Sequence, residues 1–454
     1  MIPTLSRRGL LRGSLTGAAG FLGLRAAFEN RAYTQNAGFG PLIPDPAGVL
    51  DLPLGFKYRA FSRTGDLMDD GNRVPGLHDG MAAFPGPNGS TVLVRNHEMS
   101  VAAPGSSGSP FVNAAAFNNS KSLVYDAGSS LPAAGGTTNL VYNTRLKTLE
   151  RQFLSLTGTL RNCAGGPTPW GTWLTCEETN VSIGSVISGS VLTQEHGWIF
   201  EVAATAQPGV QQPVPLKAMG RFNHEAAAVD SSTGIVYETE DRGDAAFYRF
   251  LPNQRANLQA GGALQALKIK NLFALDTRNR SSVNVTAGVP LEVEWVDITN
   301  VSSPADDLRY QARSKGAAIF GRLEGCWWSN GIVYFVTTDG GPAGLGQIFR
   351  YTPSSGGGTL DLFLQPASAD QFAAPDNICI APSGDIIVCE NGSGTEYVHG
   401  VTGSAQVYKI ARNALNNSEF TGACFSPDGS NLFVNIQSPG ITLAISGPWH
   451  RRLA

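Results

Sequence analysis

The segment Asp376-Asn-Ile-Cys-Ile-Ala-Pro-Ser-Gly-Asp-Ile-Ile-Val-Cys-Glu-Asn391 decides the fold. One apolar run climbs to a Ser-Gly turn. A second descends from it and ends in polar and acidic residues. Glycine supplies the positive φ that a tight hairpin needs, and Ile and Val suit a pleated strand. The pattern recurs at residues 81–98, 162–178, 224–241, 324–339 and 421–435. Its turn glycines are Gly89, Gly171, Gly234, Gly331, Gly384 and Gly429. Six unevenly spaced units in 454 residues fit a propeller, at about 40–50 residues per blade, with insertions. The fold expected is an all-β, six-bladed β-propeller, with an irregular β-sandwich as the alternative. Residues 196–202, 246–250, 346–351 and 405–410 read as outer strands. Residues 30–58 read as an N-terminal wrap or part of a closing blade, and 306–314 as one short helix. Residues 31–454 are expected to form a single catalytic domain.

Composition agrees. The 54 glycines and 27 prolines call for many tight turns. Hydrophobic residues at 42% against 15% charged allow a large core. The net charge of −3, without a basic stripe, argues against nucleic acid as a partner. Six cysteines in a chain this long are not a disulfide framework.

Residues 1–30 read as an export signal. Ser6-Arg7-Arg8-Gly9-Leu10-Leu11-Arg12 holds a twin arginine, and the apolar stretch 13–24 behind it is too short to span a membrane. The expectation is periplasmic or secreted localisation, with the twin-arginine export machinery as a partner, no membrane association after signal removal, and a monomer. Such export carries folded proteins, which suits a cofactor loaded in the cytoplasm.

A hairpin begins and ends at the same edge, so the polar residues around each copy share one rim. They include His78, Asp79, Asn96, His97 and Glu98, then Asn162, Cys176, Glu177 and Glu178. Next come His224, Glu225, Glu238, Glu240 and Asp241, followed by Glu324 and Asp339. Asp376, Asn377, Glu390 and Asn391 belong to the fifth unit, and Asn435 and Gln437 to the sixth. Carboxylates crowded into one small volume repel each other, and multivalent cations relieve that repulsion. Oxygen donors suit Ca²⁺, whereas a thiolate at Cys176 biases its site toward iron or zinc.

Trp170-Gly-Thr-Trp-Leu-Thr-Cys-Glu-Glu178 resembles the signature of the PhoX family of bacterial alkaline phosphatases. Asn96-His-Glu98, Gly220-Arg-Phe-Asn-His-Glu225, Glu238-Thr-Glu-Asp-Arg242, Gly321-Arg-Leu-Glu-Gly325 and Thr338-Asp-Gly340 are similar to that family too. The resemblance runs through residues 53–435. It implies a propeller with Fe(III) and Ca²⁺ in its central channel. By the same resemblance Cys176 and Glu324 bind metal, Arg322 holds phosphate, and Glu240 is a further ligand. Glu98, Glu177, Asp339, Asp376 and Glu390 are expected as metal ligands, and Asn96 as a catalytic residue, from rim position and partial motif match.

The activity expected is phosphomonoester hydrolysis, with small organic phosphate esters as substrates. No Ser or Thr stands in a nucleophile motif, which favours an oxygen held by metal over a phospho-enzyme. The alternatives are a calcium-dependent lactonase or phosphotriesterase-like hydrolase, and a non-enzymatic exported propeller that binds metal.

Overall fold

The computed structural model describes residues 38–450. The export signal read at residues 1–30 lies outside them.

Each of the repeated segments folds as an antiparallel hairpin. The first strands are His78–Pro85, Asn162–Pro167, His224–Val229, Leu323–Ser329, Pro375–Ile380 and Phe420–Phe425. Their partners are Thr91–His97, Thr172–Glu177, Val236–Glu240, Ile332–Thr337, Ile386–Glu390 and Asn431–Ile436. All six turn glycines have positive φ, between 71° and 86°. Further strands add outward: four in all in the first sheet, three in the second and four in the sixth. The third and fourth hairpins share one nine-stranded sheet, because the outer strands Leu291–Ile298 and Thr359–Leu364 pair with each other. The short helix expected near residue 310 is present as Leu308–Ser314.

The six first strands pack side by side, each against the next, and the last returns to the first. The arrangement is all-β and propeller-like. Between adjacent sheets lie apolar seams. One packs Leu50, Ile387, Tyr408, Phe420, Leu432 and Leu443. The third and fourth hairpin units share another apolar cluster, in which Phe247 stacks on Phe335 at 4.3 Å and Phe335 on its cross-strand partner Phe349 at 5.3 Å. The N-terminal wrap closes the ring. Lys57–Arg63 pairs with Ile441–Ser446 in the sixth sheet, and Leu50–Pro53 pairs with Val407–Asn413 in the fifth. Among the described residues no helix is long and apolar enough to cross a membrane.

A register irregularity interrupts every hairpin at the same place. It falls between His78 and Met81, Asn162 and Gly165, His224 and Ala227, Leu323 and Cys326, Pro375 and Ile378, and Thr421 and Cys424. A bulge re-aims a side chain away from the strand's regular alternation. Behind each bulge the ring is tight. A Cβ on Gly80 would lie 2.6 Å from the Cα of Ala164, and one on Gly325 would lie 2.5 Å from the carbonyl oxygen of Asp376. Small residues thus let six backbones converge and close the channel below the bulges.

Candidate functional site

The first residues inside the six irregularities are Asp79, Cys163, Glu225, Glu324, Asp376 and Gly422. Five of the six carry a possible metal donor, and all five are buried and line one cavity on the ring axis. Its volume is about 130 Å³, the share of about four waters at ~30 Å³ each.

A second tier comes from the residues leaving each hairpin. Glu98, Glu178, Asp241, Thr338, Asn391 and Gln437 donate their backbone N–H groups to the carbonyls of Leu77, Arg161, Asn223, Arg322, Ala374 and Glu419. Of the donors, all but Thr338 line the cavity, and of the acceptors Arg161, Arg322 and Glu419 do. Eight carboxylates, one thiol and two guanidinium groups therefore surround a basin of a few ångströms.

The guanidinium groups partly balance the acids. Arg322 donates from Nε and Nη2 to Asp241 at 2.9 and 3.0 Å, and from Nη2 to Glu324 at 2.9 Å. Arg161 donates from Nε to Glu98 at 3.2 Å and from Nη2 to Glu178. Neutral donors add to this: Asn391 to Asp376 at 3.0 Å, Gln437 to both Asp79 and Glu98 at 3.1 Å, and Thr338 at 2.9 Å to the same Glu324 oxygen that Arg322 holds.

Excess negative charge remains. Burial, followed by repulsion from neighbouring carboxylates, holds Asp79, Glu225, Glu324 and Glu419 well above the usual carboxylate range. Burial pushes Glu178 up to about 8 against the pull of Arg161, and Asp376 up to about 6 against Asn391 and Arg322. Burial, then the charges of Glu225 and Glu178, raises the Cys163 thiol. Two triads have donor atoms within 4.8 Å of one another: Cys163, Glu178 and Glu225, and Glu225, Glu324 and Asp376. They share Glu225. Cations at these triads would relieve the repulsion.

Of the residues given a role from sequence, the fold gathers Arg322, Glu324, Asp376 and Glu98 here, beside the rim residues Asp79, Glu178, Glu225, Asp241, Asn391 and Gln437, and sends the other assigned residues elsewhere. Cys176 is fully buried in an apolar seam with Leu174, Ile199 and Phe222, so Cys163 is the thiol of the basin. Glu177 accepts from the backbone N–H groups of Leu160, Gly197 and Trp198 and lies 2.6 Å from Nδ1 of His196. Glu240 accepts from Arg309, Tyr248 and the Ala246 N–H. Glu390 accepts from the N–H groups of Ala373 and Tyr397 and lies 3.0 Å from His399. Asp339 pairs with Arg280 at 2.5 Å, outside the cavity. Asn96 lies in the wall behind the site. It donates to the carbonyls of Cys163 and Ala164 at 3.2 and 2.7 Å, and accepts from Trp173 and Thr175 at 2.8 Å. Asn435 and Thr239 bond the carbonyls of Asp79 and Glu324 at 2.7 Å in the same way, each latching a bulge of the next hairpin.

Cys163, Arg161 and Glu419 were missed by the sequence reading. Arg161-Asn-Cys163-Ala repeats the spacing of Arg322-Leu-Glu324-Gly, and that signal was available. Glu419 stands three residues before Gly422 rather than two, so spacing could not reveal it.

Residues 37–145 and 129–440 match the family described as Alkaline phosphatase PhoX. No curated protein matches the chain. Among solved structures, Pseudomonas fluorescens PhoX in complex with vanadate, a transition state analogue, superposes with a TM-score of 0.66 at 18% identity, covering 91% of this chain and 98% of that one. A Xanthomonas campestris gluconolactonase gives a TM-score of 0.40 at 13% identity, covering 90% and 98%. A luciferin-regenerating enzyme gives 0.43 at 10%, covering 87% and 96%.

Proposed function

The chain belongs to the alkaline phosphatase PhoX family and is a phosphomonoesterase, and we propose that it hydrolyses small organic phosphate esters in the acidic basin on the ring axis. The family is metal-dependent, and the observation that carries this reading is the pair of triads sharing the buried Glu225. Five bulge side chains converging without cations would be a costly arrangement.

The donor sets suit two kinds of metal. Cys163, Glu178 and Glu225 combine a thiol with carboxylates and would hold a transition metal such as Fe(III). Glu225, Glu324 and Asp376 offer oxygen alone and would hold Ca²⁺. Bound cations would supply Lewis acidity and neutralise the phosphoryl oxygens.

The chain's own groups provide the rest. Arg322 binds a phosphoryl oxygen of the ester, for which its planar fork is suited. Asp241 and Glu324 fix the orientation of that fork. Donors held in place before the reaction stabilise developing charge without reorganising. Asn96, Thr239 and Asn435 position the bulges by holding their carbonyls.

We read the six hairpin-led sheets as six blades, the nine-stranded sheet counting as two joined at their outer edges. We also propose that residues 31–454 act as one catalytic unit and that the protein works as a monomer, exported already folded and carrying iron through the twin-arginine route. The family's usual export and the Arg7-Arg8 pair support that route.

The test is hydrolysis of p-nitrophenyl phosphate at alkaline pH, with calcium and after EGTA. Turnover that needs calcium and falls at least about a hundredfold in Arg322→Ala is expected. A folded, metal-replete protein without turnover would overturn the reading.

A further inference from the structure

Arg161 and Arg322 occupy equivalent slots in the ring. Each stands two residues before the bulge residue of its hairpin, and each accepts at its carbonyl the N–H of the residue leaving that hairpin. Both have positive φ, 48° and 42°. Leu77 and Ala374 share the slot and the conformation, at 43° and 47°. The left-handed backbone therefore belongs to the architecture. The choice of arginine does not, because leucine and alanine satisfy the same backbone.

The two side chains are also used alike. Each gives Nε and Nη2 to a pair of carboxylates, and Nη1 of each makes no hydrogen bond to any described residue. They are the cationic side chains lining the basin, and they are 48% and 41% exposed at its mouth. Arg161 pairs with Glu178 of one triad, and Arg322 with Glu324 of the other. Glu225, common to both triads, comes from the hairpin between theirs.

We propose that Arg161 is a second phosphoryl-binding residue, gripping the ester from the Cys163 side while Arg322 grips it from the Glu324 side. With Nε and Nη2 held on carboxylates, Nη1 of each guanidinium is left to donate to a ligand at the mouth. A tetrahedral dianion bound between the two triads would present oxygens to both sides, one toward each arginine. Orientation then comes from two directions, which restricts the phosphoryl group more than one cation does.

This inference rests on the phosphatase reading. Its test uses the metal-replete full chain and the variants R161Q, R161K and R350Q, with three readouts: isothermal titration with inorganic phosphate, KM and kcat for p-nitrophenyl phosphate, and metal content. Loss of a charge-assisted hydrogen bond should weaken phosphate about ten- to a hundredfold in R161Q, with KM rising in step and metal content unchanged. R161K keeps the charge but not the fork, and should weaken phosphate severalfold. R350Q, whose arginine pairs with Asp361 outside the basin, should match the wild type. Phosphate affinity within about twofold of wild type in both Arg161 variants would overturn the proposal. So would loss of metal from R161Q, which would make the guanidinium a brace for Glu98 and Glu178. A wild type that neither turns over ester nor binds phosphate would instead sink the phosphatase reading itself.

Discussion

Glu177 and Glu178 are neighbours in sequence and belong to different regions of the molecule. Glu178 lines the basin, where burial and like charge raise it to about 8. Glu177 turns behind the basin and ties three backbone N–H groups and His196 into one knot. The same division separates Asp241 from Glu240 and Asn391 from Glu390. A strand alternates faces at every residue, so a step of one carries a carboxylate from chemistry to structure. The front tier sets eight carboxylates against two guanidinium groups. In the rear tier Glu177, Glu240 and Glu390 have a donor on each oxygen and brace the loops.

Substituting across that divide should give opposite phenotypes. Glu225→Gln, in the front tier, is expected to lower kcat/KM about a thousandfold and to reduce metal content, with little change in folding. Glu177→Gln should stay within about tenfold of wild-type activity while losing about 2 kcal/mol of stability, read by urea denaturation. Equal effects of the two on activity would erase the comparison.

The cysteines sharpen it. Cys163→Ser should lose iron and any visible thiolate-to-iron absorption, whereas Cys176→Ser, in the apolar seam, should retain both. The reverse pattern in the spectra would return the thiolate role to Cys176.

The smallest effect concerns pH. Basin carboxylates whose folded pKa is raised bind protons more tightly folded than unfolded, so they stabilise at low pH and that contribution is lost as pH rises. Glu178 at about 8, from an ordinary 4.5, and Asp376 at about 6, from 3.8, set the window. Chelated protein should therefore melt several degrees lower at pH 8 than at pH 5. Calcium should shrink this difference. A chelated protein with a flat melting profile would mean that the basin carries no unrelieved charge.

The hairpins were legible because a turn glycine is a local demand. Gly89, Gly171, Gly234, Gly331, Gly384 and Gly429 marked six turns that the structure contains. Arg322, Glu324, Asp376 and Glu98 were legible as members of one rim because both ends of a hairpin meet there. Cys176 was singled out because it sits in the longest family-like motif, yet it lies in an apolar seam, while the bulge that brings Cys163 to the basin has no turn residue to announce it. Asn96 resembled a catalytic amide because its carbonyl partners lie some 67 residues away in sequence.

The sequence by itself determined that the chain is a ring of hairpins with acids at one rim, because glycine turns and apolar alternation are properties of short segments. Only the tertiary structure decided which acids face the axis. That depends on where each strand breaks register and on how closely six backbones pack at Gly80, Gly325 and their counterparts, and such contacts exist only once the ring is closed.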